Sequence, residues 1–185
     1  MMHVSCTQRL KLRPWIPEDE PDIIEGLNNL EVSRWLALVP YPYTTADAKA
    51  WITFCQQAGN DRFDFAIETL DNKKVIGGVS LLNIDYKAGK AGGGIWINAQ
   101  YQGKGYGREA FNEKIAFAFE TLHLDYLENG LFKGNVASLQ MQQKLGYTLQ
   151  GVNPEPVLCM ADQTLKTEYI TSLEKKNWIK YHPKA

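Results

Sequence analysis

"GGGIWINAQYQGKGYGREAF", Gly92 to Phe111, packs a strand-like apolar run, Ile95-Trp96-Ile97, a glycine-rich turn and the start of a helix into twenty residues. Glycine fills six of those positions. A turn of this composition at a helix start bares backbone N–H groups without Cβ interference, and the helix dipole makes the place favourable for an anion. A surface turn without a ligand is the competing reading of this segment taken alone.

Outward from that segment the chain alternates strands and helices. Upstream, "FDFAIETL" (Phe63 to Leu70) and "VIGGVSLLNID" (Val75 to Asp85), joined by the turn-forming "DNKK", predict an antiparallel hairpin. A second turn, "YKAGKAGG", leads into the strand "GIWIN". Earlier still, Thr7 to Arg13 alternates polar and apolar residues and stops before Pro14, the pattern of a first strand. "PEDEPDIIEGLNNLEV" opens with helix N-terminal acids, and Thr44 or Thr45 caps "TADAKAWITFCQQAG", with Gly59 as the stop. Downstream, Glu109, Phe111, Ile115, Ala118 and Phe119 recur at helical spacing to about Leu122. Asp125 to Phe132 reads as a strand and "NVASLQMQQKLGY" as a helix with Asn135 at its cap and Gly146 just past its end. "TLQGV" and "LKTEYITSL" finish as strands. The class is α/β.

The 185 residues suit one domain with a full core. With 44% hydrophobic and 22% charged residues the chain is too apolar to be disordered. Lys+Arg 20 against Asp+Glu 21 leaves no cationic excess for nucleic acid or an anionic membrane. Three cysteines, Cys6, Cys55 and Cys159, without C-x-x-C spacing, suggest neither a disulfide framework nor a metal site. The start lacks a signal-peptide core and no run of 18 apolar residues occurs, so a soluble cytoplasmic protein is expected.

Two phosphate-binding fingerprints compete for the glycine-rich turn. A Walker A loop requires Lys then Ser or Thr, but Gly105 follows Lys104. Gly105, Gly107 and Ala110 match a Rossmann G-x-G-x-x-A with Asp125 downstream, yet Asn98 to Lys104 separate the turn from its strand and too little chain follows for the remaining βα units. Both readings are disfavoured.

A second motif changes the balance. Gln102, Gly105 and Gly107 form Q-x-x-G-x-G, and about thirty residues on come N-x-x-S at Asn135 and Ser138, then K-L-G-Y at Lys144 to Tyr147. In this order they resemble the GCN5-related N-acetyltransferase (GNAT) superfamily. "VPYPYTTADAKAWI" and "YITSLEKKNW" resemble its ribosomal-protein N-terminal acetyltransferase-like branch, and the likeness runs from about Arg9 to Trp178.

That resemblance implies a GNAT fold, a mixed and mostly antiparallel sheet flanked by helices and splayed at an acetyl-CoA site, in a single domain over 1–185 with its core at about 9–178. It implies cofactor contacts from Ile95, Trp96 and Ile97, from Gln102, Gly103, Lys104, Gly105, Tyr106, Gly107 and Arg108, and from Asn135 and Ser138. The turn would hold the pyrophosphate, and the strand would pair with the pantetheine arm as β-augmentation. Asn135 has two readings, helix cap or partner of the pantetheine amide.

In many family members a tyrosine seven residues after the asparagine protonates the leaving thiolate, but here Gln142 stands there. The resembling branch uses a serine three residues after it, which makes Ser138 the catalytic candidate, against a structural reading as a first-turn hydroxyl. The glutamate expected as base is replaced by Gly92. Asp85, Glu68 and Glu128 could act through water but read more readily as solvated sheet-edge acids, and water alone could take the proton from an amine attacking an activated thioester. His123 reads as a packed or helix-ending residue, Glu109 as a first-turn acid and Lys144 as a helix C-terminal cation. Trp35, Tyr41, Tyr43 and Trp51 read as core packing or acceptor-pocket walls.

The expected activity is acetyl transfer from acetyl-CoA, with no metal, to a primary amine, whether a protein N-terminus or a small molecule. The runner-up is a catalytically weak acyl-CoA-binding sensor or interaction module. A monomer and a homodimer both remain open.

Overall fold

The computed structural model describes residues 4–181. Strands β1 (Ser5–Cys6) and β2 (Leu10–Pro14) precede helices α1 (Glu20–Leu27), α2 (Leu30–Ser33) and α3 (Thr45–Gln57). Strands β3 (Phe63–Thr69), β4 (Val75–Asp85), β5 (Lys90–Gly92) and β6 (Ile95–Ile97) lead into α4 (Tyr106–Ala116). After β7 (Tyr126–Phe132) and α5 (Val136–Gln143) come β8 (Thr148–Val152), β9 (Val157–Cys159), β10 (Thr164–Lys166) and β11 (Glu168–Glu174).

The main sheet runs β1-β2-β3-β4-β5-β7-β11-β8, with β6 paired to β4 off this path. Among the described residues only β5 and β7 pair in parallel; the other ladders are antiparallel, as the fold expected from the sequence requires. Helices cover both faces because the inner strands are apolar on both. Phe65 and Ile67 of β3 pack with Phe111 and Ile115 of α4 on one face. Ala66, between them, packs with Ile23 of α1 and Ile52 of α3 on the other. Burial of side chains such as Phe111 and Ile115 is worth about 1.5–3 kcal/mol each, which secures α4 and hence the turn that precedes it.

Several elements depart from the sequence reading. The segment "YKAGKAGG" is not wholly a turn, because Lys90–Gly92 bridges β4 and β7. Lys-Ala-Gly carries no strand propensity; two neighbours impose the extended backbone. "LKTEYITSL" divides into β10 and β11, and β10 pairs with β9, a three-residue strand too short to show a period. The acidic helical region breaks into a 3-10 turn, Pro17–Asp19, then α1 and α2, where Asn29 Oδ1 accepts from Glu31 N at 3.0 Å. Helix α3 is capped by Thr44 and ends at Gln57, with Ala58 rather than Gly59 turning the chain. Helix α4 continues into a π-helical turn, Phe117–Thr121, closed by His123 at φ +57°, which accounts for that histidine as a helix-ending residue.

Candidate active site

The sheet opens between β6 and β7. Strand β5 bridges β7 at Lys90↔Tyr126 and Ala91↔Leu127, whereas β6 bridges only β4. The divergence begins at Gly93 and Gly94. At Gly93, φ is +122° and an added Cβ would lie 2.0 Å from the Ser80 carbonyl, so only glycine can make this step. Ser80 N donates to Gly94 O and Asn98 N to Ile76 O, so even-numbered residues of β6 direct their backbone toward β4. By the alternation of an antiparallel ladder, Ile95 and Ile97 direct theirs into the gap, and Trp96 does not. Trp96 instead stacks on Trp15, with centroids 6.4 Å apart.

A cavity of about 520 Å³ lies beside β6, walled by the glycine-rich turn, α5 and the α2 region. Of the residues singled out from the sequence, it brings together Ile95, Trp96, Ile97, Gln102, Gly103, Gly105, Gly107, Arg108, Asn135, Ser138 and Lys144; Lys104 and Tyr106 do not line it. Trp35 is also in its wall, while Tyr43 is buried in the core with α1 and α3. Glu31, which nothing in the sequence marks, is added by α2 beside Trp35 and is the single carboxylate lining the cavity among the described residues.

The turn is held by contacts from far along the chain. Gln102 Nε2 donates to Ile97 O at 2.8 Å, tying the turn to the end of β6. Gly105, at φ +84°, is the N-cap of α4, and the N–H groups of Tyr106, Gly107 and Arg108 have no acceptor among the described residues. Arg9 donates to Lys104 O at 3.0 Å and to Glu109 at 2.7 Å. Glu109 is only 2% exposed and also accepts from Thr7 Oγ1 and Arg9 N, so it is a buried anchor of the turn and not merely a first-turn acid. The Arg9 charge is taken up by Glu109; Lys104 and Arg108 stand in the turn and the first turn of α4, and the Arg108 guanidinium lies 3.8 Å from the Tyr181 ring centroid.

On the opposite wall, Asn135 Oδ1 caps α5 by accepting from Ser138 N at 3.2 Å. The cap reading therefore holds for its oxygen, and the Nδ2 amide remains available as a donor. The Ser138 hydroxyl bonds no first-turn backbone group; it accepts from Gln142 Nε2 at 3.2 Å. Gln142 is itself buried, so the position where a family tyrosine would stand does not reach the cavity surface.

None of the three carboxylates considered as alternative bases lines the cavity. Glu68 pairs with Arg13 at 2.6 Å, Asp85 accepts from Lys87 N and Ala88 N in the turn after β4, and Glu128 is exposed on β7. At Gly92, an added Cβ would lie 2.6 Å from the Glu128 carbonyl oxygen. The base position is thus closed by the neighbouring backbone.

Behind the splay, Lys114 of α4 is fully buried, with Nζ 3.3 Å from Gly93 O and 4.0 Å from the Phe111 ring centroid. Burial without a carboxylate partner brings its pKa down from 10.5 to about 7. Burial likewise pushes the Tyr147 phenol upward.

Residues 9–148 match the acetyltransferase (GNAT) domain family, and the chain belongs to that family of N-acetyltransferases. Among its relatives is the spermidine N(1)-acetyltransferase of Escherichia coli K12, 28% identical over 142 residues, 77% of this chain and 74% of that one. A second, Bacillus subtilis YdaF, provisionally named a ribosomal N-acetyltransferase, is 25% identical over 155 residues, 82% of this chain and 84% of its own length. Spermidine N-acetyltransferase from Vibrio cholerae, solved with CoA and spermine, superposes with a TM-score of 0.78 at 20% identity, covering 92% of this chain and 98% of that one. No helix among the described residues is long and apolar enough to cross a membrane.

Proposed function

We propose that this chain binds acetyl-CoA in the gap between β6 and β7 and transfers the acetyl group directly to a primary amine. The observation that carries the proposal is one cavity that receives the open backbone edge of Ile95 and Ile97, the turn from Gln102 to Gly107, and the Ser138 hydroxyl. The pantetheine arm pairs with Ile95 and with Ile97 N–H, and with Asn135 Nδ2 from the other side. The pyrophosphate takes the free N–H groups of Gly107 and Arg108, both of which line the cavity. The wall made by α2 and Trp35 is left for the acceptor, and Glu31, exposed there and 3.6 Å from Arg34, offers a carboxylate to an acceptor that arrives as an ammonium ion. Relatives named for spermidine and for ribosomal acetylation support an amine on a small molecule or a protein N-terminus. The continuous sheet supports a single catalytic domain, and three free cysteines suit a reducing, cytoplasmic setting.

In the reaction the amine nitrogen forms a bond to the thioester carbon and the carbon–sulfur bond breaks. The departing thiolate takes the Ser138 proton, and the proton released by the amine returns through water to the serine oxygen. Ser138→Ala should lower kcat by roughly 10²-fold with acetyl-CoA affinity little changed. A serine that only steadies α5 would instead cost about 1 kcal/mol of stability at normal turnover, and that outcome defeats the assignment. No thiol release from acetyl-CoA with any of a panel of amines would favour the acyl-CoA-binding module instead.

A further inference from the structure

We infer that Gln142 is a positioning residue that aims the Ser138 proton at the cofactor sulfur; this rests on Ser138 as the proton donor. The side chain of Gln142 is 3% exposed and lies between β7, β11 and α5. Its Oε1 accepts from Thr171 Oγ1 at 2.6 Å and from Asn129 Nδ2 at 3.4 Å. Thr171 and Asn129 face each other across the β11–β7 ladder, so both donors are fixed by the sheet. The Thr171 hydroxyl has one proton and lies 2.6 Å from Gln142 Oε1 against 3.3 Å from Asn129 O, so the shorter contact takes it; with Asn129 Nδ2 it holds the Gln142 oxygen and leaves Nε2 to donate to Ser138 Oγ at 3.2 Å.

The consequence for Ser138 is directional. A hydroxyl has one proton and two lone pairs. Because Gln142 can only donate through the nitrogen it presents, the serine proton has no acceptor in Gln142. Among the described residues it has no acceptor, and Ser138 lines the cavity. The proton is left for a group in the cavity, which in the proposed reaction is the leaving sulfur. As sulfur departs with negative charge, the donated Gln142 hydrogen bond also steadies the serine oxygen as it gives up its proton. The position that lacks the family's acidic tyrosine thereby supports the donor one helical turn away.

The substitutions that test this differ in what they offer Ser138. Gln142→Met keeps the volume and removes the donor; kcat should fall roughly 5- to 20-fold. Gln142→Glu replaces the donor with an acceptor that captures the serine proton, and kcat should fall roughly 10²-fold. Acetyl-CoA affinity, read by calorimetry, should stay within about 2-fold of the parent in both. In a Ser138→Ala background each change should alter kcat by less than about 2-fold, because the proton it aims is gone. Thr171→Val, which frees the Gln142 oxygen, should show a smaller loss with the same dependence on Ser138 and decides the matter if neither Gln142 variant folds. Parental kcat in folded Gln142→Glu, or equal losses with and without Ser138, overturns the inference while leaving Ser138 as donor. Parental kcat in Ser138→Ala overturns the donor assignment and this inference together.

Discussion

Lys114 offers a test of the interior that does not depend on knowing the acceptor. Its ammonium is buried beneath the splay with a backbone carbonyl and a ring face as its neighbours, and its pKa is lowered from 10.5 to about 7. Below pH 7 the lysine is charged in folded and unfolded chains alike, and the full burial penalty is present. Between pH 7 and 10.5 the unfolded chain binds the extra proton, so stability rises with pH by at most about 1.4 kcal/mol per unit, a total of about 5 kcal/mol. Tyr43, Cys55 and Tyr147 are raised by burial and act oppositely at higher pH, since they ionise first in the unfolded chain. The useful interval is therefore from about pH 7 to about pH 8.5, where Lys114 contributes a rise of about 1.6 kcal/mol, or roughly 3–6 °C in Tm. Lys114→Met removes the titration and keeps the volume, though it orphans the Gly93 carbonyl at a cost of about 1–3 kcal/mol. The diagnostic is accordingly the slope and not the absolute stability. Urea unfolding at several pH values should show parent and variant curves converging or crossing as pH rises. Parallel curves would refute the reasoning that Lys114 is buried without a charge partner.

Other outcomes follow from the same geometry. Gly105→Glu imposes a side chain at φ +84° and brings a negative charge to the anion site, so acetyl-CoA affinity measured by calorimetry should fall by roughly 10²-fold or more in a chain that still folds; unchanged affinity would remove the turn from the cofactor site. Gly92→Glu should not restore a base: pushing the Glu128 carbonyl aside should cost about 1–3 kcal/mol and lower activity, whereas a gain in turnover at low pH would contradict the closed position. If water takes the amine proton, log kcat/KM should rise with pH toward the pKa of each acceptor amine and shift when the amine is changed, and a plateau common to all acceptors would point to a base on the protein.

The parts of this structure legible in sequence are those whose determinants are local. The β3–β4 hairpin, Thr44 at the start of α3 and Asn135 at the start of α5 each declare themselves within a few residues. The cavity-forming turn is legible too, since its glycines are neighbours in sequence. Glu109 is different: as a string it is an acid in a first turn, and only the return of Thr7 and Arg9, about a hundred residues distant in sequence, makes it a buried anchor. Strand β5 is invisible for a similar reason, because its extended form comes from β4 and β7 rather than from Lys90, Ala91 and Gly92. Glu31 sits on a four-residue helix with nothing nearby to mark it as facing a cavity.

Gly92 ties the chemistry to this packing. Where a glutamate would be expected, β5 passes so close to β7 that even a Cβ meets a carbonyl oxygen, and the parallel pairing of these two strands is also what sends β6 off alone to open the cavity. The close approach of β5 to β7 thus leaves no room for a base at this position. A thioester needs little activation toward a neutral amine, so the demand on the protein moves to the other end of the reaction, where a thiolate must leave. At that end Ser138 faces the cavity with buried Gln142 behind it, and buried Thr171 and Asn129 hold Gln142. Under the proposed mechanism, the acceptor's own ionisation should therefore govern kcat/KM, while the hydrogen bonds behind Ser138 govern kcat.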